Sequence, residues 1–266
     1  MALYNKVEFT KRRRIHETYL RLYYGASASG RRSLSDLCEG RQPYYHQSGI
    51  RRVGDGYADH SFIELYNPGS SAVSLMGWSV QYRSSKGGDH STAWYVLKLS
   101  GTIEAGGYYL IRCGAAAKAP ASAYKVPQGN AEWDTVLHNK GLSVALLSTD
   151  TQLSDSFSGD ITAEGFVLPA GFVDLAAVQG NDKTASQTPP AYEGAYSAIQ
   201  SKKKAIRRKG FADTDNNSAD FEAVDYSKTV SADKGPHAGD AAPEPGYTPA
   251  ETGIKQYTGF FDEARR

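Results

Sequence analysis

Residues 213–220 hold the carboxylate and amide side chains whose types and spacing come closest to a known chemistry. Four of them follow the spacing D-x-D-x-N-x-x-D, which is how a calcium-binding loop begins: Asp213, Asp215, Asn217 and Asp220. Ser218 stands at the sixth position, where such a loop needs glycine, and Val224 stands at the twelfth, where it needs glutamate. The segment therefore predicts a turn closed by Asx hydrogen bonds, and weak Ca²⁺ binding by these four side chains is the alternative.

The other metal-binding and nucleophilic residue types are scattered along the chain. The six histidines include no pair at ligand spacing: His16, His46, His60, His90, His138 and His237. Two cysteines, Cys38 and Cys113, are too few for a multi-cysteine zinc site and leave one disulfide or two thiols open. The sequence has no G-x-S-x-G, P-loop or H-E-x-x-H motif. We therefore expect no enzyme, no resident cofactor and no small-molecule substrate.

Short runs of basic residues are the remaining candidates for a binding surface. Those expected to contact a partner are Lys11, Arg12, Arg13, Arg14, Lys202, Lys203, Lys204, Arg207 and Arg208. Converging on one face, they could neutralise phosphates, but the formal net charge of the chain is only +1, so nucleic acid is an alternative and not the favoured partner. Lysines beside a strand also prevent edge-to-edge aggregation, and an acidic tail could cover them.

The composition and hydropathy of the 266 residues indicate a folded protein. Hydrophobic residues make up 40% and aromatic residues 11%, which is too rich for a disordered chain. The apolar runs are well short of the roughly 20 residues that span a bilayer. The amino terminus lacks the apolar stretch of a Sec-type signal peptide, so we expect no membrane span and no export by that route.

Short apolar segments separated by turn residues between 57 and 226 predict a series of strands, with clean apolar–polar alternation at 78–83 and imperfect alternation at 61–67. The predicted strands are 61–67, 78–83, 93–99, 108–113, 142–148, 171–178, 197–200, 204–208 and 220–224. An earlier strand is predicted at 18–24, and the alternative is an amphipathic helix over residues 10–24. Since turns separate the strands and no long helix intervenes, the pattern favours an antiparallel sandwich or barrel.

Three motifs occur in an order that resembles the lamin-tail domain family in its bacterial and viral version. They are the strand Ile-Glu-Leu-Tyr-Asn at 63–67, Gly77-Trp78, and Asp-Thr-Asp-Asn-Asn at 213–217 followed by Asp220-Phe221. The resemblance covers about residues 18–225. It implies an all-β, immunoglobulin-like antiparallel β-sandwich that is non-enzymatic.

The motif residues predict a core and one buried polar contact. Core positions are expected for Phe62, Leu65, Trp78 and Phe221. Trp78 enters its strand after a glycine and is predicted to fill the space between the two sheets. Glu64 interrupts an apolar strand, so it should face solvent or bond a neighbouring backbone, because an unpaired buried carboxylate is costly.

The chain divides by composition into a basic arm at 1–17, the sandwich at 18–226 with a loop-like insertion at about 26–56, and an arm rich in Pro, Gly and acidic residues at 227–266. Residues 1–52 carry 11 Lys/Arg and 4 Asp/Glu, whereas residues 210–266 carry 5 and 11. Near the carboxyl end an apolar stripe could dock on a partner or on its own domain: Ile254, Tyr257, Phe260 and Phe261.

These features predict a non-catalytic structural or interaction module that assembles through its arms with copies of itself or with a larger scaffold. A decorating or minor structural protein of a virion would fit, which makes a virus particle or an extracellular assembly the expected location. The first alternative is a surface or secreted adhesion module that binds glycan or cell envelope. The second is a nucleic-acid-associated module that uses the basic clusters.

Overall fold

The computed structural model describes residues 44–48 (as backbone only), 57–85, 90–116, 119–180, 187–196, 199–201, 203–211, 213–230 and 235–237. Its elements are β1 (Tyr44–Ser48), β2 (His60–Tyr66), β3 (Val73–Ser74), β4 (Ser79–Ser84), β5 (Tyr95–Lys98), β6 (Thr102–Ile103), β7 (Tyr108–Ala115), β8 (Ala131–Trp133), β9 (Gly141–Leu147), β10 (Gly159–Asp160), β11 (Phe172–Gln179), β12 (Ala191–Tyr192), β13 (Lys204–Arg208), α1 (Asn217–Asp220) and β14 (Phe221–Asp225).

Two four-stranded sheets form the body of the molecule. The first has the order β1-β2-β7-β8 and the second the order β11-β9-β4-β5. Their pairings are antiparallel except that β8 runs parallel to β7. This is the predicted all-β, immunoglobulin-like antiparallel sandwich, and six of the predicted strands lie in its two sheets as β2, β4, β5, β7, β9 and β11. The predicted strands at 204–208 and 220–224 form a separate antiparallel pair, β13 and β14. The predicted strand at 197–200 is wrong over its described residues, where Gln200 forms only an isolated bridge to Gly180. The predicted strand at 18–24 lies outside the described residues, and so do residues 197–198 of the predicted strand at 197–200.

Strand β1 lies inside the segment 26–56, where the sequence predicts a loop-like insertion. It pairs with β2 in antiparallel register, Tyr44 opposite Tyr66 and Ser48 opposite Phe62. Its sequence YYHQS is too short and too polar to show an alternating pattern, so the partner strand β2 determines its conformation.

The main core lies between the two sheets. Ile63 and Leu65 of β2 pack in it with Val80 and Tyr82 of β4, and all four are fully buried. Phe221 and, in a neighbouring cluster, Phe62 are buried as well.

Trp78 occupies a different place from the one predicted. It packs against the main core but is only partly buried, because it precedes β4 in a turn where its amide donates to Leu75 O (3.0 Å). Gly77 makes this turn possible with a φ of +81°. The fully enclosed tryptophan is Trp94, which lies on the other face of the second sheet.

The outer face of the second sheet is covered by the segment 149–161. Leu153, Phe157 and Ile161 pack there against Trp94 and β9, forming a second apolar cluster. Buried Gln81 of β4 secures the segment, since its amide donates to Thr151 O (2.8 Å) and its carbonyl accepts from Leu153 N (2.8 Å). Strand β9 is therefore buried along its whole length.

The outer face of the first sheet is covered in part by the hairpin of β13 and β14. Ala205 and Val224 of the hairpin pack with Phe62 and Leu110 in a third cluster, to which Tyr226 also belongs. The hairpin brings both the D-x-D-x-N loop and the start of the carboxyl-terminal arm beside the sandwich. No helix among the described residues has the length and apolarity needed to cross a membrane.

Candidate functional site

The first candidate site is the contact between the carboxyl-terminal arm and the first sheet. Gly235 and Pro236 are buried and His237 is half-buried, although all three belong to the segment 227–266 that composition assigns to the arm. The backbone amide of His237 donates to Glu64 Oε1 (2.5 Å), and its ring Nδ1 lies 3.1 Å from the same oxygen. We call this contact the arm dock.

Aromatic rings form the floor of the arm dock. The imidazole of His237 stacks on Tyr108 of β7, with 3.8 Å between ring centroids and 14° between planes. Gly235 passes so close to Tyr124 that a Cβ atom there would lie 2.5 Å from the tyrosine hydroxyl. A larger residue at 235 would therefore displace the arm or the tyrosine.

Glu64 is the one charged residue of the Ile-Glu-Leu-Tyr-Asn strand, and it is only 2% exposed. Burial raises the pKa of its carboxyl group, while His237 and, at longer range, Arg207 oppose that rise. Burial and, to a smaller extent, the negative charge of Glu64 raise the pKa of the Tyr124 hydroxyl. Of the two predicted outcomes for Glu64, the structure has the backbone contact, and its partner is the arm.

The second candidate site is a buried group of charges around Arg208, at the end of β13. Its Nη2 donates to Asp174 Oδ1 of β11 (2.6 Å), and its Nη1 lies 3.6 Å from both Asp213 and Asp220. The guanidinium carbon also lies 4.6 Å from the ring centroid of Phe221. We call Asp174, Glu193 and Asp213 the acidic cluster, because one carboxylate oxygen of each lies within 4.8 Å of the others.

Burial governs the electrostatics of the acidic cluster. It raises the pKa of Asp174 to about 7, against the opposing effect of Arg208. Burial and the neighbouring carboxylates raise the pKa of Glu193 well above its ordinary value, and burial raises that of Asp213. The cluster therefore holds its negative charges at a cost that either protons or a cation would relieve.

The four sequence-predicted calcium ligands do not converge on one point. Asp215 is exposed with a φ of +54°, and Asn217 is buried with its side-chain amide on Leu175 O (2.8 Å) and Glu193 (3.0 Å). Asp220 accepts from the amide and hydroxyl of Thr214 (2.8 and 2.7 Å), which closes the loop on itself. Of the four, only Asp213 belongs to the acidic cluster, whose other members, Asp174 and Glu193, come from distant parts of the chain.

The predicted basic surface is divided by the fold. Lys203 and Lys204 are exposed and Arg207 is half-buried, whereas Arg208 is 1% exposed and pairs with Asp174. Arg208 is thus a correction to the predicted contact residues, because its position on β13 points it at the inner carboxylates. The rest of the predicted contact residues lie outside the described residues: Lys11, Arg12, Arg13, Arg14, Lys202, Ile254, Tyr257, Phe260 and Phe261.

Two carboxylates and one imidazole in these sites were not predicted from the sequence to be functional. Asp174 interrupts the apolar strand FVDLAAVQ just as Glu64 interrupts its own, and a charge in such a position was the available signal. Glu193 and His237 stand in segments without periodicity and gave no comparable signal. Of the two cysteines, Cys113 is buried on β7, which raises the pKa of its thiol, and Cys38 lies outside the described residues.

Comparison with known proteins agrees with two of the three motifs, those at 63–67 and at Gly77-Trp78, whereas the third motif at 213–221 lies outside the matched residues. The family model of the Lamin Tail Domain matches residues 48–159, which run from the end of β1 to the start of β10. No curated protein matches the sequence.

Proposed function

We propose that this chain, which carries a lamin tail domain at residues 48–159, is a non-catalytic module that assembles with copies of itself or with a larger scaffold through its two arms. The lamin tail domain is an immunoglobulin-like, non-enzymatic interaction domain. Its partners are therefore expected to be proteins, bound by surface contact.

The arm dock is the observation that carries this proposal. Glu64 and Tyr108 fix the arm at His237, so the residues that follow start from a defined point on the first sheet. A binding segment tethered at a fixed point pays a smaller entropic cost on reaching a neighbouring molecule than a free tail would. The apolar stripe 254–261 is the segment that this tether would present.

Charge supports a partner that is another copy of the chain. The first 52 residues carry 11 Lys/Arg and 4 Asp/Glu, and residues 210–266 carry the reverse excess, 5 against 11. Two of those eleven acidic residues, Asp213 and Asp220, lie beside Arg208 within the fold. Opposite charges at the two ends favour head-to-tail association between copies, which extends into rings or lattices. A component of a virus particle, such as a decorating or minor structural protein, is the setting that we propose for such a lattice.

Truncation just after the arm dock tests the proposal. We would compare the full chain with a chain that ends at His237, using sedimentation velocity and native mass spectrometry at several concentrations. The full chain is expected to form dimers or larger species and the shortened chain to be monomeric with an unchanged circular dichroism spectrum. Equal masses for both chains would refute the role of the arm.

Substitutions within the carboxyl-terminal arm test which of its residues mediate assembly. Replacing both Phe260 and Phe261 with serine should abolish assembly as completely as truncation does, since the stripe loses its largest apolar surface. The conservative change Thr248→Ser in the same arm is the matched control and should leave the mass distribution unchanged. Assembly that survives the double serine variant would show that the stripe is not the contact.

A further inference from the structure

We propose that the acidic cluster of Asp174, Glu193 and Asp213 binds Ca²⁺, joining β11, the segment after β12 and the loop after β13. The site differs from the D-x-D-x-N loop, with which it shares one residue. It does not depend on the arms or on assembly, so its test is separate from that of the proposed function.

The spacing of the carboxylates suits a single ion. One oxygen from each of the three side chains lies within 4.8 Å of the other two. Ca²⁺ binds oxygen at roughly 2.4 Å, so two oxygens on opposite sides of the ion stand about 4.8 Å apart. The mutual distances of the three carboxylates are therefore compatible with one shared ion beside Arg208.

An unsatisfied buried oxygen points independently to a ligand. Asp174 is 3% exposed, and its Oδ1 accepts from Arg208 Nη2 (2.6 Å) and Leu175 N (2.7 Å). Its Oδ2 is shielded from solvent and has no hydrogen-bond partner among the described residues. A carboxylate oxygen left in this state is costly, and coordination to a cation would satisfy it.

The balance of charges around Arg208 also favours a cation. Arg208 contributes one positive charge, against carboxylates from Asp174, Glu193, Asp213 and Asp220 that surround it. Two of the Arg208 contacts are 3.6 Å long, which is beyond the usual length of a charged hydrogen bond. A divalent cation would offset most of the remaining excess.

The donor set selects the class of cation. The cluster offers only carboxylate oxygens, which favour hard cations such as Ca²⁺ and Mg²⁺ over zinc or copper. Asp174 and Glu193 are each 3% exposed, and Mg²⁺ binds best where it keeps several of its waters. Ca²⁺ accepts a shell made largely of protein oxygens, so we assign the site to Ca²⁺.

Thermal unfolding and titration calorimetry of the full chain test the assignment. In about 5 mM CaCl₂, compared with EDTA at matched ionic strength, the unfolding midpoint should rise by roughly 3–5 °C. MgCl₂ should give a smaller rise, and calorimetry should give one Ca²⁺ per chain. Glu193→Gln keeps an acceptor for Asn217 and should lose the Ca²⁺-dependent rise, as should Asp174→Asn.

Asp215→Asn is the matched control, because it removes a carboxylate of the same loop that lies outside the cluster. This variant should keep the full response to Ca²⁺. The assignment is overturned by the absence of both heat and midpoint shift in the unaltered chain. It is equally overturned if Asp215→Asn loses the response while Glu193→Gln keeps it, or if no variant changes it. Should Asp174→Asn fail to fold, Glu193→Gln decides the result.

Discussion

Glu64 shows how one side chain can depend on a segment far along the chain. Its carboxylate lies in the middle of β2, buried against the first sheet, and its hydrogen-bond partner His237 follows 173 residues later. The two contacts from His237 compensate the carboxylate for its lost hydration. The same contact ties the arm to the sandwich, so the residue serves the fold and the proposed function together.

The raised pKa of Glu64 predicts a pH dependence of stability. The folded protein holds the carboxyl proton above the ordinary carboxyl range and the unfolded chain releases it, so the free energy of unfolding should fall as the pH rises through this window. Glu64→Gln removes the titration. Urea unfolding at about pH 5 and about pH 8 should show the unaltered chain losing more stability than this variant between the two values.

Other titratable or charged groups lie near Glu64, so the comparison of the two pH profiles needs a control. His237, Arg207 and Tyr124 all interact with it, and they remain in both proteins. Glu222→Gln removes an exposed carboxylate from β14 and should leave the pH profile of the unaltered chain unchanged. A parallel profile for Glu64→Gln would contradict the prediction.

The buried side chain of Asn217 joins Leu175 of β11 to Glu193 of the acidic cluster. Its Oδ1 accepts from Glu193 N (2.9 Å), and its Nδ2 donates to Leu175 O and to Glu193 Oε2. Asn217→Ala should lower the free energy of unfolding by about 2–4 kcal/mol, because buried partners on two elements lose their hydrogen bonds. Chemical denaturation measures the change.

Asn216→Ala is the comparison variant for that prediction, because a smaller loss in the free energy of unfolding is expected from it. Asn216 caps α1 by accepting from the amides of Ser218 and Ala219 at the partly exposed end of the loop. Asn216→Ala should cost only about 1 kcal/mol, the usual loss for a helix cap. If the two variants were equally stable, the buried contacts of Asn217 would not have the importance assigned to them.

The segment 149–161 is an element without regular structure that nevertheless completes the core. Three of its apolar side chains cover the second sheet, and buried polar side chains of β4 bind its backbone. Ser79 donates to Thr149 O (2.6 Å) beside the two contacts of Gln81. Polar residues thus face this side of β4 because they satisfy the backbone of an irregular segment.

Gln81→Leu should release this segment. The substitution leaves Thr151 O and Leu153 N without partners in a buried place, so we expect a loss of about 2 kcal/mol. Amide hydrogen exchange should accelerate at 149–157 more than in β7. Thr151→Val changes only an exposed side chain and should stay within about 0.5 kcal/mol of the unaltered chain. Unchanged exchange in Gln81→Leu would contradict this account.

The molecule as a whole is a sandwich covered on both outer faces. Its three apolar clusters are built from residues between Tyr57 and Val230, and the arm dock adds residues up to His237. The basic arm at 1–17 and most of the arm at 227–266 lie outside this range. Folding and association are therefore expected to be separable.

A fragment spanning residues 44–237 tests that separation. Because it retains β1, all three clusters and the arm dock, its thermal midpoint should lie within about 3 °C of that of the full chain. Circular dichroism melts at equal protein concentration give the measurement. A fragment that is unfolded at room temperature would mean that the excluded ends contribute to the core.

The positions of most strands and the resemblance to a known domain followed from the order of the residues alone. Alternation of apolar and polar side chains is a local property, and it identified β4, while short apolar runs bounded by turn residues identified strands such as β2 and β7. The motif at 63–67 and Gly77-Trp78 then indicated the lamin tail domain, which the family model matches at 48–159. Strand β1 was not predicted, because its pairing with β2 and not an alternating pattern of residues makes it a strand.

The tertiary structure alone decided which charges are inside and what they meet. Arg208 looks like a surface cation in a basic run, and Trp78 looks like a central core residue, yet packing buries the first and leaves the second half-exposed. The pairs Arg208–Asp174 and Glu64–His237 join residues 34 and 173 positions apart. Such contacts depend on how sheets, hairpin and arm are placed in space, because the cost of burying a charge is set by its surroundings and not by its neighbours in sequence.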